Sequence, residues 1–274
     1  MLPVMVVNLD RSPDRWLDLQ ARASAVGITC QRISAVDGKQ IKDPIRQILL
    51  SQRSGKLPLG PGEMGCFLSH RTVWQHVVDA GSWCLVLEDD AHFSGLERLL
   101  QDSAWLPPDA DIVKCETVRQ IVRMESEAVR VDGWTVRRLL SHHGGTAGYF
   151  ISPKGAARLL DLTQSACDAV DHLMFHPDFG CALHLTIYQL DPAPVIQDYL
   201  IAGSASRRFA STLDLDRKES RSAFEGSSRP SLLRKVGREV ARPYLRLSAR
   251  LNRWIENRKG LYVNKRIGYR GDSA

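Results

Sequence analysis

Short, almost wholly apolar runs alternate with stretches of helical periodicity along roughly the first 200 residues of the chain. Apolar runs of this length, without polar residues at alternate positions, are typical of strands buried on both faces of a sheet. Strands are therefore predicted at residues 4–9, 29–33, 83–87, 112–115, 149–151 and 185–190. Strands that alternate with helices in this way indicate an α/β layered domain.

Helices are predicted where apolar residues recur at steps of three and four. Ser12 and Ser152 each precede a proline, so each hydroxyl could cap a helix whose first turn accepts the proline. The predicted helices cover residues 13–26, 63–80 and 153–162. Prolines and glycines interrupt residues 38–62, which predicts a mobile surface loop. A second, glycine-rich loop is predicted at 142–148, and residues 202–229 are expected to be loop-rich.

Composition places the chain among ordinary globular proteins. Its 274 residues are 43% hydrophobic and 25% charged, which excludes disordered and fibrous classes. No apolar run approaches the ~18 residues of a membrane-spanning helix. The first residues resemble a strand more than a signal peptide, and six scattered cysteines without a CxxC pair are expected to be reduced. The expected location is therefore the cytoplasm.

Charge divides the chain into a body at 1–228 and a basic tail at 229–274. The tail has 13 Lys and Arg against 3 Asp and Glu, whereas the body has 24 against 28. Apolar residues between 233 and 254 share one helical face, which predicts a basic amphipathic helix interrupted at Pro243. Such a helix could contact an anionic membrane surface or pack on the body. The body has no nucleic-acid motif, so nucleic acid is not an expected partner.

Three adjacent carboxylates, Glu88, Asp89 and Asp90, follow a predicted buried strand. Open α/β sheets bind ligands at the carboxyl ends of their strands. In an extended chain Glu88 and Asp90 point the same way and Asp89 points oppositely, so Glu88 and Asp90 could address one Mg²⁺ or Mn²⁺ ion. The alternative interpretation is a solvated acidic turn that caps a helix.

Other candidate residues are weaker when taken alone. Arg11 follows the first strand beside a helix N-terminus, which suits an anionic ligand, although such arginines also pair with surface acids. His70 lies in an apolar helix and could be a core histidine with a satisfied hydrogen bond. Asp171-His172 with His176 has a metal-like spacing, but no HExxH-type motif supports a zinc hydrolase.

Four ordered blocks together resemble glycosyltransferase family 25, the lipopolysaccharide and lipooligosaccharide sugar transferases that are related to collagen galactosyltransferases. The blocks are VVNLDRSPDR, GEMGCFLSH, CLVLEDDA and GTAGYFIS, within about residues 1–200. The resemblance implies a GT-A-like nucleotide-sugar-binding domain with a mixed, mostly parallel sheet. It also implies metal-assisted transfer of a hexose, most often galactose, from a UDP-sugar to a saccharide acceptor with inversion.

The same resemblance assigns roles to individual residues. Glu88, Asp89 and Asp90 match the acidic DxD motif, with Asp90 and Glu88 as the metal ligands. The residues expected to contact the donor are Asn8, Asp10, Arg11, Ser69, His70, Glu88, Asp89, Gly145 and Thr146. Inversion requires a general base near the acceptor hydroxyl. Asp171 is the first candidate for that base and Asp198 the second.

Two other classes of protein remain compatible with the sequence. A metal-dependent phosphohydrolase or nucleotidyltransferase could use the same acidic cluster, and a non-catalytic scaffold could bind glycan or nucleotide without turnover. If the chain acts on a lipid-linked saccharide, its basic tail would hold it as a peripheral protein on the cytoplasmic face of the inner membrane.

Overall fold

A computed structural model describes residues 1–53, 59–177, 180–201 and 260–273. The central element is an eight-stranded mixed sheet in the order β2-β1-β3-β10-β5-β11-β9-β8. Its strands are β1 (Val4–Asn8), β2 (Cys30–Ser34), β3 (Cys84–Glu88), β5 (Ile112–Lys114), β8 (Val129–Val131), β9 (Trp134–Arg138), β10 (Gly148–Ile151) and β11 (Ile187–Asp191). Two smaller sheets use β4 (Ala91–Phe93), β6 (Glu116–Thr117), β7 (Ile121–Glu125), β12 (Val195–Gln197) and β13 (Tyr262–Arg266).

All six predicted strands are present, and the sheet is mixed as predicted. The expectation that it is mostly parallel is wrong, because among the described residues only three of its seven strand pairings are parallel. The pairs β1–β2, β1–β3 and β5–β11 are parallel, whereas β10 runs antiparallel between β3 and β5. An apolar run indicates that a strand is buried but carries no information about its direction.

Seven helices lie in the described part of the chain. They are α1 (Pro13–Ala25), α2 (Asp43–Ser51), α3 (Pro61–Ala80), α4 (Leu96–Leu99), α5 (Pro153–Leu162), α6 (Val170–Phe175) and α7 (Gly180–Leu183). The predicted helices at α1, α3 and α5 are confirmed. Ser152 caps α5 by accepting a hydrogen bond from Gly155 N at 2.9 Å, but the predicted cap by the Ser12 hydroxyl is wrong. The Ser12 carbonyl instead accepts a hydrogen bond from the side chain of Asn8.

The expected loop at 38–62 is also wrong in part. Residues Gly38–Gln40 form a 3-10 turn, and α2 occupies the middle of the segment. Pro44 lies in the first turn of α2. A proline is tolerated there because the backbone N–H that it lacks would have no acceptor within the helix. Residues 54–58 lie outside the described part of the chain.

Hydrophobic residues pack on both faces of the central sheet. Val4 and Val6 of β1 face a cluster that includes Leu19 of α1 and Leu96 of α4. Met5 and Val7, which alternate with them, face a second cluster built with α3, α5 and α6. The domain therefore has three layers, with helices on each side of the sheet, and the carboxyl ends of β1 and β3 meet at one edge.

Residues 260–273, which we call the C-terminal strand segment, pack on this domain. Within the segment, β13 pairs with β7 along five residues, and Ile267 is completely buried. The predicted amphipathic helix at 233–254 lies outside the described residues. In the part of the chain that the structure describes, no helix is long and apolar enough to cross a bilayer. All six cysteines are free thiols, as predicted.

Candidate functional site

A solvent-open cleft lies where the carboxyl ends of the parallel strands β1 and β3 meet. The space in and above it, including the part open to solvent, is about 780 Å³. Its acidic side consists of Glu88, Asp89 and Asp90, and its basic side chains come from Arg11, Arg15 and Lys39. This is the place where open α/β sheets bind ligands, because strands end there and loops and helix N-termini begin.

Asp89 and Glu88 have different partners, although both line the cleft; the chain is not extended beyond Glu88, because Asp89 and Asp90 form a turn after β3. Asp89 accepts hydrogen bonds from Asn8 Nδ2 at 2.7 Å and Arg15 Nη1 at 2.9 Å. Burial raises the pKa of Asp89, against the opposing effect of Arg15. Glu88 instead accepts from Thr146 Oγ1 at 2.5 Å. Burial would raise the pKa of Glu88, but the hydrogen bond and charge of His70 outweigh it and hold this pKa below its usual value.

Asp90 is the least compensated carboxylate of the three. Its side chain is buried, and its Oδ1 atom has no hydrogen-bond partner. Burial, reinforced by the negative charges of Glu88 and Asp89, raises the pKa of Asp90 to about 8. A cation bound to this carboxylate would offset the repulsion among the three negative charges, so the geometry fits a divalent ion bound through oxygen.

Ser69 of α3 lines the cleft, whereas the next residue, His70, is buried and does not line it. Ser69 Oγ donates to Gly65 O at 2.6 Å and accepts from Val36 N at 2.8 Å, so its hydroxyl is fixed. His70 is completely buried, with Nδ1 2.7 Å from the Tyr149 hydroxyl and Nε2 3.4 Å from Glu88 Oε1. A proton on Nε2 therefore faces the Glu88 carboxylate.

The residues of the first block have different positions. Arg11 lines the cleft and is paired with Asp37. Asn8 is buried and holds Asp89 in place, and it accepts a hydrogen bond from Arg32 Nε at 2.7 Å. Asp10 is exposed and binds Arg32 rather than lining the cleft. Only Arg11 of the three therefore has a side chain at the cleft surface.

Gly145 and Thr146 belong to a loop that contacts the acidic cluster through the hydrogen bond from Thr146 to Glu88. A buried ion pair, which the sequence analysis does not predict, holds this loop in place. Lys114 Nζ is 3.0 Å from Glu116 Oε2, with both side chains fully buried, and it also donates to the Gly145 carbonyl. Glu116 Oε2 accepts from Ala147 N at 2.9 Å. Burial, opposed by Lys114, raises the pKa of Glu116 to about 7. The available signal was a lysine within the apolar run of β5.

The two candidate bases differ in exposure. Asp171 is half-buried at the start of α6, and its Oδ2 accepts from Gly145 N at 3.2 Å. Asp171 does not line the cleft, but the adjacent loop residues Gly145 and Thr146 contact Asp171 and Glu88 respectively, so Asp171 lies near the acidic cluster. Asp198 is buried, its Oδ1 lies 2.8 Å from His92 Nε2, and its amide donates to the Asp90 carbonyl. The neighbour of Asp198, Gln197, lines the cleft instead.

Side chains able to bind a metal converge at two places in the described part of the chain. One group is Cys66, His70 and Glu88, of which Cys66 and Glu88 line the cleft. The other is His142, Asp171 and His172. Asp90 belongs to neither group, so an ion shared by Asp90 and Glu88 would need ligands from a bound molecule or from water.

Comparisons with known proteins identify the family of the chain. The model of glycosyltransferase family 25 (LPS biosynthesis protein) matches residues 1–174. The lacto-N-neotetraose biosynthesis glycosyltransferase LgtB of Neisseria meningitidis serogroup B is 34% identical over 205 residues, which cover 70% of this chain and 74% of that protein.

Two further relatives share shorter regions. Procollagen galactosyltransferase 1 of Danio rerio is 32% identical over 171 residues, covering 57% of this chain but only 28% of that protein. The lipooligosaccharide biosynthesis protein lex-1 of Haemophilus influenzae is 31% identical, covering 59% of this chain and 57% of that protein. The family model covers the acidic cluster, α6 up to Met174 and every residue that lines the cleft except Gln197, and the chain therefore belongs to glycosyltransferase family 25.

Proposed function

We propose that this glycosyltransferase moves a hexose, with galactose as the expected sugar, from a UDP-sugar to a saccharide acceptor in lipopolysaccharide or surface-glycan biosynthesis. The names of the relatives support this substrate class, since one is a procollagen galactosyltransferase and others act in lipooligosaccharide or lacto-N-neotetraose biosynthesis. The family match covers every residue that lines this cleft except Gln197.

The observation that carries the proposal is the pairing of opposite charges in one cleft. Arg11, Arg15 and Lys39 supply cations suited to a diphosphate, whereas Glu88 and Asp90 supply oxygens suited to Mn²⁺ or Mg²⁺. Asp90 Oδ1 is buried without a hydrogen-bond partner, so this carboxylate fits a cation. When bound, the metal would offset negative charge on the departing diphosphate.

Asp171 is the better candidate for the general base. An inverting transfer requires a carboxylate that takes the proton of the acceptor hydroxyl as its oxygen attacks C1 and UDP leaves from the opposite face. Asp171 is half-buried and near Glu88, and its position is fixed by the Gly145 amide. Asp198 is buried against His92 and its amide supports Asp90, which favours a positioning role.

The proposal is tested by measuring donor binding and transfer with Asp90→Asn. Saturating UDP or UDP-galactose with Mn²⁺ should stabilise the wild-type protein by about 2.7 kcal/mol at ~100 times the dissociation constant. That corresponds to roughly 5–10 °C in thermal unfolding. Asp90→Asn should lose the Mn²⁺-dependent shift and at least about 100-fold in transfer, or about 2.7 kcal/mol of barrier.

Asp79→Asn is the matched control, because Asp79 is an exposed carboxylate at the far end of α3 that contacts Gln75. It should keep both the shift and the transfer activity. An Asp90→Asn protein that binds and transfers like the wild type would contradict the proposal. Release of phosphate or pyrophosphate instead of UDP would indicate a hydrolase or nucleotidyltransferase, and donor binding without turnover would indicate a scaffold.

The proposal extends to the basic tail. We expect residues 229–259 to contact an anionic membrane surface and to bring the enzyme to a lipid-linked acceptor at the cytoplasmic face. The support is the charge and apolar pattern of the sequence alone, since these residues lie outside the described chain.

A further inference from the structure

A group of histidines beside the cleft has no role in the proposed donor site. His142 lies in the loop before β10, His172 lies in the first turn of α6, and His176 follows the last turn of α6. The ring centroids of His142 and His172 are 5.6 Å apart, and those of His142 and His176 are 4.6 Å apart. Three imidazoles from two separate segments therefore surround one small volume.

The potential ligand atoms of this group point toward each other. One atom each from His142, Asp171 and His172 lies within 4.8 Å of the other two. A Cβ added at Gly144 would be 3.8 Å from Asp171 Oδ2 and 4.0 Å from His142 Nε2, so both atoms border the space that this glycine leaves open. His142 Nε2 is buried and has no hydrogen-bond partner. A buried ring nitrogen in this state is costly unless something binds it.

The chemistry of the group selects a class of metal ion. Tetrahedral zinc has ligand bonds of about 2.0–2.2 Å, so small side-chain rotations would bring atoms at the observed separation onto one ion. Imidazole nitrogens favour Zn²⁺ and its neighbours in the transition series, whereas Mg²⁺ and Mn²⁺ favour oxygen. We propose that His142, Asp171 and His172 form a zinc site, separate from the carboxylates of the donor cleft, with His176 packed against the ring of His142.

Occupation of this site has a consequence for the reaction, which rests on the proposed function. A zinc ion there would hold the Asp171 carboxylate, and a carboxylate bound to a metal is a weaker base. Zn²⁺ should therefore inhibit sugar transfer that Mn²⁺ supports, without displacing UDP from the cleft. The site would act as an inhibitory metal site built around the base.

Zinc binding is measured directly on the full chain, stripped of metals, by competition with a chromogenic chelator. The visible absorption of bound Co²⁺ reports whether the ligand geometry is tetrahedral. The wild-type protein should bind one ion. His142→Gln and His172→Gln should each weaken binding by roughly 100-fold, because the loss of a direct ligand should cost at least as much as the loss of a residue that only hydrogen-bonds to a ligand. His76→Gln, an exposed histidine on α3, is the matched control and should bind as the wild type does.

The competing site is tested with Cys66→Ser. If this variant loses zinc while His142→Gln keeps it, the ion binds at the Cys66, His70 and Glu88 group, and the proposal is wrong. Absence of zinc binding by a folded wild-type protein would also overturn it, leaving the imidazoles as a neutral packed cluster. Zinc binding that depends on His142 but does not inhibit transfer would support the metal site and contradict the assignment of Asp171 as the base.

Discussion

His143 is a buried neutral imidazole whose two nitrogens both have protein partners. Its Nδ1 is 2.7 Å from Gln189 Oε1, and its Nε2 accepts from Val118 N at 3.4 Å. Burial, reinforced by the charge of Lys114, lowers the pKa of His143 to about 3. Protonation would remove the acceptor at Nε2 and place a cation beside Lys114, so the folded protein resists it.

This residue predicts an acid-dependent loss of stability. The unfolded chain binds a proton at His143 near its ordinary pKa of 6.5, whereas the folded chain does so only near pH 3. The contribution of His143 is therefore complete above pH 6.5 and decreases as pH falls toward 3, by up to about 1.4 kcal/mol per pH unit. The free energy of unfolding, measured with urea at several pH values in this range, should depend less steeply on pH for His143→Asn than for the wild type. The exposed-site variant His76→Asn should keep the pH dependence of the wild type.

At the scale of single residues, the sequence could predict the acidic cluster but not its geometry or its partners. The period of two along an extended chain predicts that Asp89 points away from Glu88, but β3 ends at Glu88 and the next two residues form a turn, so all three carboxylates line one cleft. Whether the Asn8 side chain lines the cleft or holds Asp89 depends on which segment of the chain lies next to Asn8 in the folded protein. The ion pair of Lys114 and Glu116 could not be predicted, because its burial depends on packing against distant segments.

The loop of residues 144–147 connects the buried ion pair to the acidic cluster. Gly145 has a φ of +83°, a conformation that costs other residues roughly 1–2 kcal/mol. A Cβ there would also lie 2.8 Å from Glu116 Cδ. Gly145→Ala should therefore displace Glu116 or the loop, and with it the hydrogen bond from Thr146 to Glu88.

We expect Gly145→Ala to lower both the free energy of unfolding, by more than about 2 kcal/mol, and the rate of sugar transfer. Gly133→Ala is the matched control, since Gly133 has a φ of +85° but its nearest neighbour is Arg270 Nη1 at 3.7 Å. The control should lose stability from backbone strain alone and keep full transfer activity. Equal effects of the two substitutions on turnover would refute the coupling of this loop to Glu88.

At the scale of elements, long apolar patterns were predictable and short polar ones were not. The buried strands and α1, α3 and α5 have unambiguous periodicity. The hairpin of β8 and β9 was missed because β8 is largely exposed and therefore lacks an apolar signal. The helix α2 has no clear signal in the sequence, because Pro44 resembles an interruption, although a proline is tolerated in the first turn of a helix.

At the scale of the whole molecule, the C-terminal strand segment is an integral part of the fold. The Thr117 hydroxyl donates to the Ile267 carbonyl at 2.7 Å, and Lys265 Nζ is 2.6 Å from Asp191 Oδ2. Thr117 belongs to β6, which pairs with β12, and β12 carries Gln197 to the cleft. The described chain is interrupted after Ile201, four residues beyond Gln197, and resumes at Gly260.

This arrangement determines how membrane contact must be tested. Deleting residues 229–274 would remove the membrane-contact candidate together with β13 and the buried Ile267, whose side chain alone is worth about 2–5 kcal/mol. Lost vesicle binding by that deletion would therefore not distinguish a missing contact from a disrupted fold. The basic residues between 229 and 259 should be replaced by glutamine instead, with residues 260–274 retained.

The charge-neutralised chain should sediment less with anionic vesicles and keep its wild-type unfolding midpoint and its transfer to a soluble acceptor. Electrostatic attraction of about 1 kcal/mol per basic residue near the surface would be lost, whereas no described contact would change. Deleting only residues 260–274 should leave vesicle binding in place but lower the unfolding midpoint, because it removes the pairing of β13 with β7. Undiminished vesicle binding after neutralisation would show that the basic charges do not hold the protein at the membrane, and the proposed membrane contact would then be wrong.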